Sequence, residues 1–143
     1  MKPRPLPSDR DHCPCCGFPT LGGRATYEIC AICDWEDDGQ DDHNADEILG
    51  GPNRDYSLTE ARGNFKARGS MYRPEDTRSF LPSAGPQELA TKSELTNIFT
   101  SWSSGTVPTE EEEHAVLRLE RKLQKFLSLR ISEHESKLGK DEA

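Results

Sequence analysis

Cysteine is the residue whose spacing in this chain could do chemistry. Cys13-Pro14-Cys15-Cys16-Gly17 and Cys30-Ala31-Ile32-Cys33 form two Cys-x-x-Cys pairs with thirteen residues between them. Thiolates are soft ligands, and Zn²⁺ commonly takes four of them in a tetrahedron, delivered as two such pairs. We read Cys13, Cys16, Cys30 and Cys33 as the ligands of one structural Zn²⁺ per chain. Cys15 lies inside the first turn, one residue from Cys13, where chelation is poorer. It is the spare thiol, and it is a candidate reactive thiol because a nearby metal lowers thiol pKa. His12 and His43 are secondary ligand candidates. Four sulfurs leave no coordination position for water, so hydrolysis at this metal is not expected. Iron held the same way would carry electrons, and the spacing alone does not separate it from zinc. No catalytic triad, phosphate loop or dinucleotide fingerprint occurs elsewhere. No βαβ pattern surrounds either pair, as a thioredoxin-like role would need. The expectation is a non-enzymatic protein with no catalytic residues.

The elements that must position these thiols are short. Gly22-Gly23 is flanked by Phe18 to Leu21 and by Arg24 to Ile29, where Ala25, Tyr27 and Ile29 alternate with polar residues. That pattern predicts a β-hairpin returning the second pair to the first. The fold class expected is small α+β: a zinc-ribbon-like β-hairpin with a Cys₄ site and a packed helix, plus a C-terminal amphipathic helix. Asp34 to Glu47 is acidic and holds no lysine or arginine. Asp34, Glu36, Asp38 and Gly39 imitate part of an EF-hand loop, but Ala45 stands where the bidentate glutamate belongs. We read a solvated loop, with Asp37, Asp38, Asp41 and Asp42 as a docking surface for a basic partner.

Helix signals follow. Ser57 and Glu60 form a capping box, Leu58, Ala61 and Phe65 share a face, and Gly69 ends the helix. Thr91 and Glu94 suggest a second box, for a short helix over 91–102 within a Pro/Ser/Gly-rich linker, 82–108. Thr109 and Glu112 make a third, opening an amphipathic helix over 109–138. Its first turn is acidic, as the helix dipole favours. Val116, Leu119, Leu123, Phe126, Leu127, Ile131 and Leu138 form its stripe. Residues 1–11 read as a flexible Pro-rich tail, 12–81 as the cysteine-rich zinc-binding domain, and 139–143 as a tail.

Composition limits what burial can do. Leu, Ile, Val and Phe make up about 17% of the 143 residues, below the roughly 20% at which burial alone stops specifying a fold. Bound metal offsets that deficit, because its binding free energy counts directly as folding free energy. The net charge of −8 disfavours contact with phosphate backbones. No apolar run approaches a membrane span, and Lys2 to Pro7 lacks the apolar core of a signal peptide. An odd cysteine count fits a disulfide scaffold poorly, so a reducing, cytoplasmic setting is expected.

Cys13-Pro-Cys-Cys-Gly-Phe-Pro-Thr-Leu21, Tyr27-Glu-Ile-Cys-Ala-Ile-Cys-Asp-Trp-Glu-Asp-Asp38, Gly51-Pro-Asn53 and Ser57-Leu-x-x-Ala61-x-x-Asn64-Phe65 occur in order. In these blocks the chain resembles the bacterial cysteine-rich CPCC family, over about residues 12–80. The resemblance implies a small metal-binding domain with Cys13, Cys16, Cys30 and Cys33 as its metal cysteines and Cys15 as the extra one. It implies no established activity, and it does not reach the terminal helix.

The function expected is a zinc-stabilised protein-interaction module. Its specific form is an acidic inhibitor or immunity-type protein covering a basic partner, with self-association through helix 109–138 as a further expectation. One alternative is nucleic-acid binding through Arg54, Arg62, Lys66 and Arg68. The other is a thiol or zinc redox sensor acting through Cys15.

Overall fold

The computed structural model describes residues 4–76 and 85–141, except the side chains of Arg130 and of residues 133–141. Three α-helices carry most of the regular structure: α1 (Leu58–Arg68), α2 (Pro86–Ser103) and α3 (Glu110–Asp141). Short 3-10 turns lie at Pro7–Asp9, Asp42–Asn44 and Gly51–Asn53.

The expected β-hairpin is not present. Among the described residues the only β pairing is two isolated antiparallel bridges, Asp11 with Leu21 and Ile29 with Glu36. Each bridge closes a loop around one cysteine pair instead of joining the two pairs. The residues between them cannot extend as strands, because Ala25 and Tyr27 have φ of 59° and 62°, a region costly for side chains with a Cβ. Buried Asp37 holds them there. It accepts from Arg24 Nε at 2.9 Å and from the Ala25 backbone N–H at 2.7 Å, and its carbonyl accepts from Tyr27 N.

The acidic segment is ordered from within. Asp41 caps the turn at Asp42–Asn44, and Asn44 returns the bond to the Asp41 backbone. Buried Gln40 donates to the carbonyls of Asn44 and Glu47. Asn53 both accepts from Glu36 N and donates to Glu36 O, doing the work of a missing strand neighbour. Trp35 is fully buried beneath this loop.

α1 forms as its end signals dictate. Ser57 accepts from the Glu60 N–H, and Gly69 at φ 81° closes the C-terminus. Glu60 does not complete the capping box, because its carboxylate is held by Arg73. Leu58 and Ala61 face the core, and Arg62 donates to the Pro14 carbonyl at 2.8 Å. The helix therefore seats on the first cysteine loop.

Residues 86–103 are one helix, longer than the segment expected within a linker. Pro86 starts α2 after Gly85, and Thr91 is interior, donating to the Gln87 carbonyl instead of capping. Glu88, Thr91, Leu95 and Phe99 are its buried face. Thr109 and Glu112 form the reciprocal capping box of α3. Val116, Leu119 and Leu123 are buried, in the α3 face that packs on α2. α3 runs past the expected end at 138 to Asp141. At 1.5 Å per residue its 32 residues span about 48 Å, against about 27 Å for the 18 of α2. Phe126, Leu127 and Ile131 are half-buried and Leu129 is exposed, while Leu138 lies outside the described side chains.

Residues 4–11 are anchored at Pro7, Ser8 and Arg10, not free as a tail would be. Ser8 donates to Glu113 at the start of α3, and buried Arg10 pairs with Glu120 at 2.6 Å. One aromatic cluster unites the parts. Phe18 stacks on Phe99 with centroids 5.9 Å apart and meets the edge of Phe65 at 6.5 Å, and Phe99 contacts Trp102.

Two outcomes follow from this packing. Phe99→Ala opens a cavity where the cysteine loop meets α2, and should lower unfolding free energy by about 3–5 kcal/mol in denaturant titration. Asp37→Asn removes the charge facing Arg24 and should cost roughly 2–3 kcal/mol, while Asp42→Asn on the surface should cost under about 0.5 kcal/mol.

Candidate metal centre

The two cysteine loops are local repeats of one design. In the first, the Cys13 N–H donates to Phe18 O and the Gly17 N–H to Cys13 O. In the second, the Cys30 N–H donates to Trp35 O and the Asp34 N–H to Cys30 O. Both turn on a residue of positive φ after the second cysteine, 82° at Gly17 and 73° at Asp34. Asp adopts this conformation more readily than most residues. The aromatic that follows each turn anchors it, Phe18 against α1 and α2 and Trp35 inside the core. The sequence carried this signal as Cys-x-x-Cys-Gly-Phe and Cys-x-x-Cys-Asp-Trp, and reading the interval as a hairpin hid it.

The repeats face each other. Cys13 Sγ lies 3.6 Å from Cys33 Sγ, and Cys16 Sγ lies 3.6 Å from Cys30 Sγ. All four sulfurs lie within 4.8 Å of one another. A tetrahedron with metal–sulfur bonds of about 2.3 Å has sulfur–sulfur edges of about 3.8 Å, so the spacing and the donor set both fit one tetrahedral ion. Cys13, Cys30 and Cys33 are buried, and Cys16 is partly so. The four cysteines are free thiols, not disulfides.

Neighbouring donors shape the sulfurs' charge. Thr20 Oγ1 donates to Cys30 Sγ at 3.1 Å, and the Ile32 N–H approaches the same sulfur at 3.4 Å. Such bonds stabilise thiolate and fix its orientation. Hydrogen bonds from Cys16, Cys30 and Cys33 hold the Cys13 thiol far below its ordinary range. Cys16 is pushed up, first by its bond to Cys13, and Cys33 is pushed up by burial.

Cys15 does not belong to the four-sulfur group. It occupies in the first loop the position that Ile32 occupies in the second, and both are buried. Its thiol nevertheless hydrogen-bonds Cys33, one of the four. Among the described residues neither histidine joins the cluster; His12 bonds Gly17 O, and His43 is exposed in a 3-10 turn. The expected acidic docking surface is largely used up inside the fold. Asp37 is fully buried, Asp41 is tied to Arg24, and Asp38 accepts from Gln40 N and Asn53. Asp42 alone of the four is exposed, and it pairs with Arg62.

Metal loading must displace the protons on Cys16 and Cys33, so protons compete with the ion. Chelator competition at pH 6 and pH 8 should show tighter metal binding at pH 8, with about two or more protons released per ion in calorimetry across buffers.

No curated protein and no solved structure matches the chain. Residues 11–84 match the family described as Cysteine-rich CPCC, and this match takes in both cysteine loops and α1. With its four sulfurs gathered where one metal ion can be held, the chain belongs to the cysteine-rich CPCC family.

Proposed function

We propose that this protein is a zinc-stabilised, non-enzymatic interaction module. The observation that carries the reading is the closed set of four sulfurs around one point. A tetrahedral ion held there has its coordination complete, so it links two loops and leaves no position for substrate. Zinc suits four thiolates without redox chemistry. Free thiols at this density fit a reducing compartment such as the cytoplasm. No described helix is long and apolar enough to cross a membrane.

The partner surface we assign is the middle of α3, from Arg118 to Leu129, where Leu129 is exposed. Arg118, Arg121, Lys122 and Lys125 give this stretch a basic character in an acidic chain. That favours a protein partner with acidic groups, or a second copy, over the basic partner expected from the acidic loop. Binding of nucleic acid through α1 has less support. Arg62 is committed to Pro14 O and Asp42, and Arg68 to Tyr72 O.

Plasma mass spectrometry of the purified chain should find about one zinc per chain. Chelation should abolish the cooperative thermal transition, since metal binding is coupled to folding. Iron in its place would move the reading to electron transfer, and a metal-free protein that keeps its fold would overturn it. Cys16→Ser or Cys33→Ser should lose the ion. Cys15→Ser should keep it and change stability by under about 1 kcal/mol; metal loss in Cys15→Ser under mild peroxide at the wild-type rate would also dispose of a sensor role for that thiol.

A further inference from the structure

A cleft of about 510 Å³ lies between the second cysteine loop, α2 and α3, in the size range of small-molecule sites. We propose that it binds a small organic anion with an apolar body, a carboxylate or a phosphate ester. Ile29, Leu117 and Leu127 give it apolar walls, and Ile29 stays half exposed there.

The charges of the lining decide the sign of the ligand. Four acids and four bases line the cleft, but they are not equally committed. Glu28 is paired with Arg4 at 2.6 Å, and Glu120 with Arg10 at 2.6 Å. Asp34 accepts from Ser70, and Glu88 is also engaged. Lys92 and Arg121 form no ion pair among the described residues. Among the buried atoms of the lining, Arg10 Nε and the Oε2 oxygen of Glu88 make no hydrogen bond. Glu28 and Glu120 are thus neutralised and Asp34 is engaged, while Lys92 and Arg121 remain available beside an apolar wall. A cation or a neutral polar molecule would leave both uncompensated. An anion with an apolar body satisfies both features of the lining.

The cleft rests on the metal reading at one wall only. Glu28 to Ala31 form that wall, and they include the ligand Cys30. Removing the ion should therefore dismantle the cleft.

The test is calorimetric titration of the full-length, metal-loaded protein with octanoate, octyl phosphate, octanol and octylammonium, each below its micelle-forming concentration. One-site binding of octanoate or octyl phosphate is expected, with octanol and octylammonium weaker by about tenfold or more. The stronger of the two anions identifies the headgroup. Lys92→Glu combined with Arg121→Glu should weaken that binding by about tenfold or more at unchanged metal content and melting temperature. Lys66→Glu, exposed on α1 outside the cleft, should leave binding unchanged. No saturable binding of either anion, equal binding of all four probes, or wild-type binding by the double variant would overturn the proposal. Metal content measured on the same samples separates the two readings. Loaded protein that binds neither anion overturns the cleft alone, and metal-free protein that binds them overturns the metal reading alone.

Discussion

Four sulfurs within 4.8 Å of one another cannot all carry charge unless a cation lies between them. Coulomb repulsion at that distance, in a mostly buried site, would drive the loops apart or force protons onto the sulfurs. The same competition holds Cys13 low through its hydrogen bonds while Cys16 and Cys33 are pushed up. With an ion, repulsion becomes attraction at the one place where the chain has little else to hold it. Two bridges and a few turn bonds fix each loop internally. The meeting of the loops depends on the cysteines and on the aromatics behind them.

What the sequence made legible were features set by near neighbours. The caps at Ser57 and Thr109 and the stop at Gly69 involve residues three or four apart, and they formed where expected. The cysteine pairs were legible for the same reason. The misread features depend on distant partners. Ala25 and Tyr27 alternate as a strand would, but the buried carboxylate of Asp37, about ten residues on, holds them at positive φ. Pro86 and the small residues around it resemble a linker, yet α2 continues through Thr91 because Leu95 and Phe99 find Phe18 and α3. The N-terminal residues have tail composition, and what orders them is a pair of glutamates more than a hundred residues away.

The charge of the chain is similarly deceptive when read as a total. The run Asp34 to Glu47 looks like a free acidic surface, but several of its carboxylates replace missing sheet contacts. Asp37 and Asp41 share Arg24, and Asp38, Gln40 and Asn53 close the loop from within. Where the described residues form no strand, backbone donors still have to be satisfied, and here acidic and amide side chains do so. The net charge of −8 thus says more about how the loops are built than about what they meet. On α3 the distribution reverses: Arg118, Arg121, Lys122 and Lys125 are exposed, on the helix whose other face buries Val116, Leu119 and Leu123.

The metal loops and the helical hairpin are one folding unit, although the family match ends at residue 84. Thr20 ties the two cysteine loops to each other at short range. Its hydroxyl donates to Cys30 Sγ, and its carbonyl accepts from Arg4 at 3.1 Å. Arg10, three residues before the first ligand, reaches Glu120 on α3. Phe18, two residues after Cys16, stacks on Phe99 of α2. The last two contacts run from a residue two or three positions from a cluster cysteine to a distant helix, so the placing of the four sulfurs and that of the helices constrain each other. A cysteine-rich segment alone would leave Phe18 without Phe99 and Arg10 without its counter-charge, and exposed aromatic surface and an unpaired buried cation are both costly. The helices supply the apolar area that the low content of Leu, Ile, Val and Phe denies to the N-terminal half, and an ion held by the four sulfurs would supply the closure that the helices cannot.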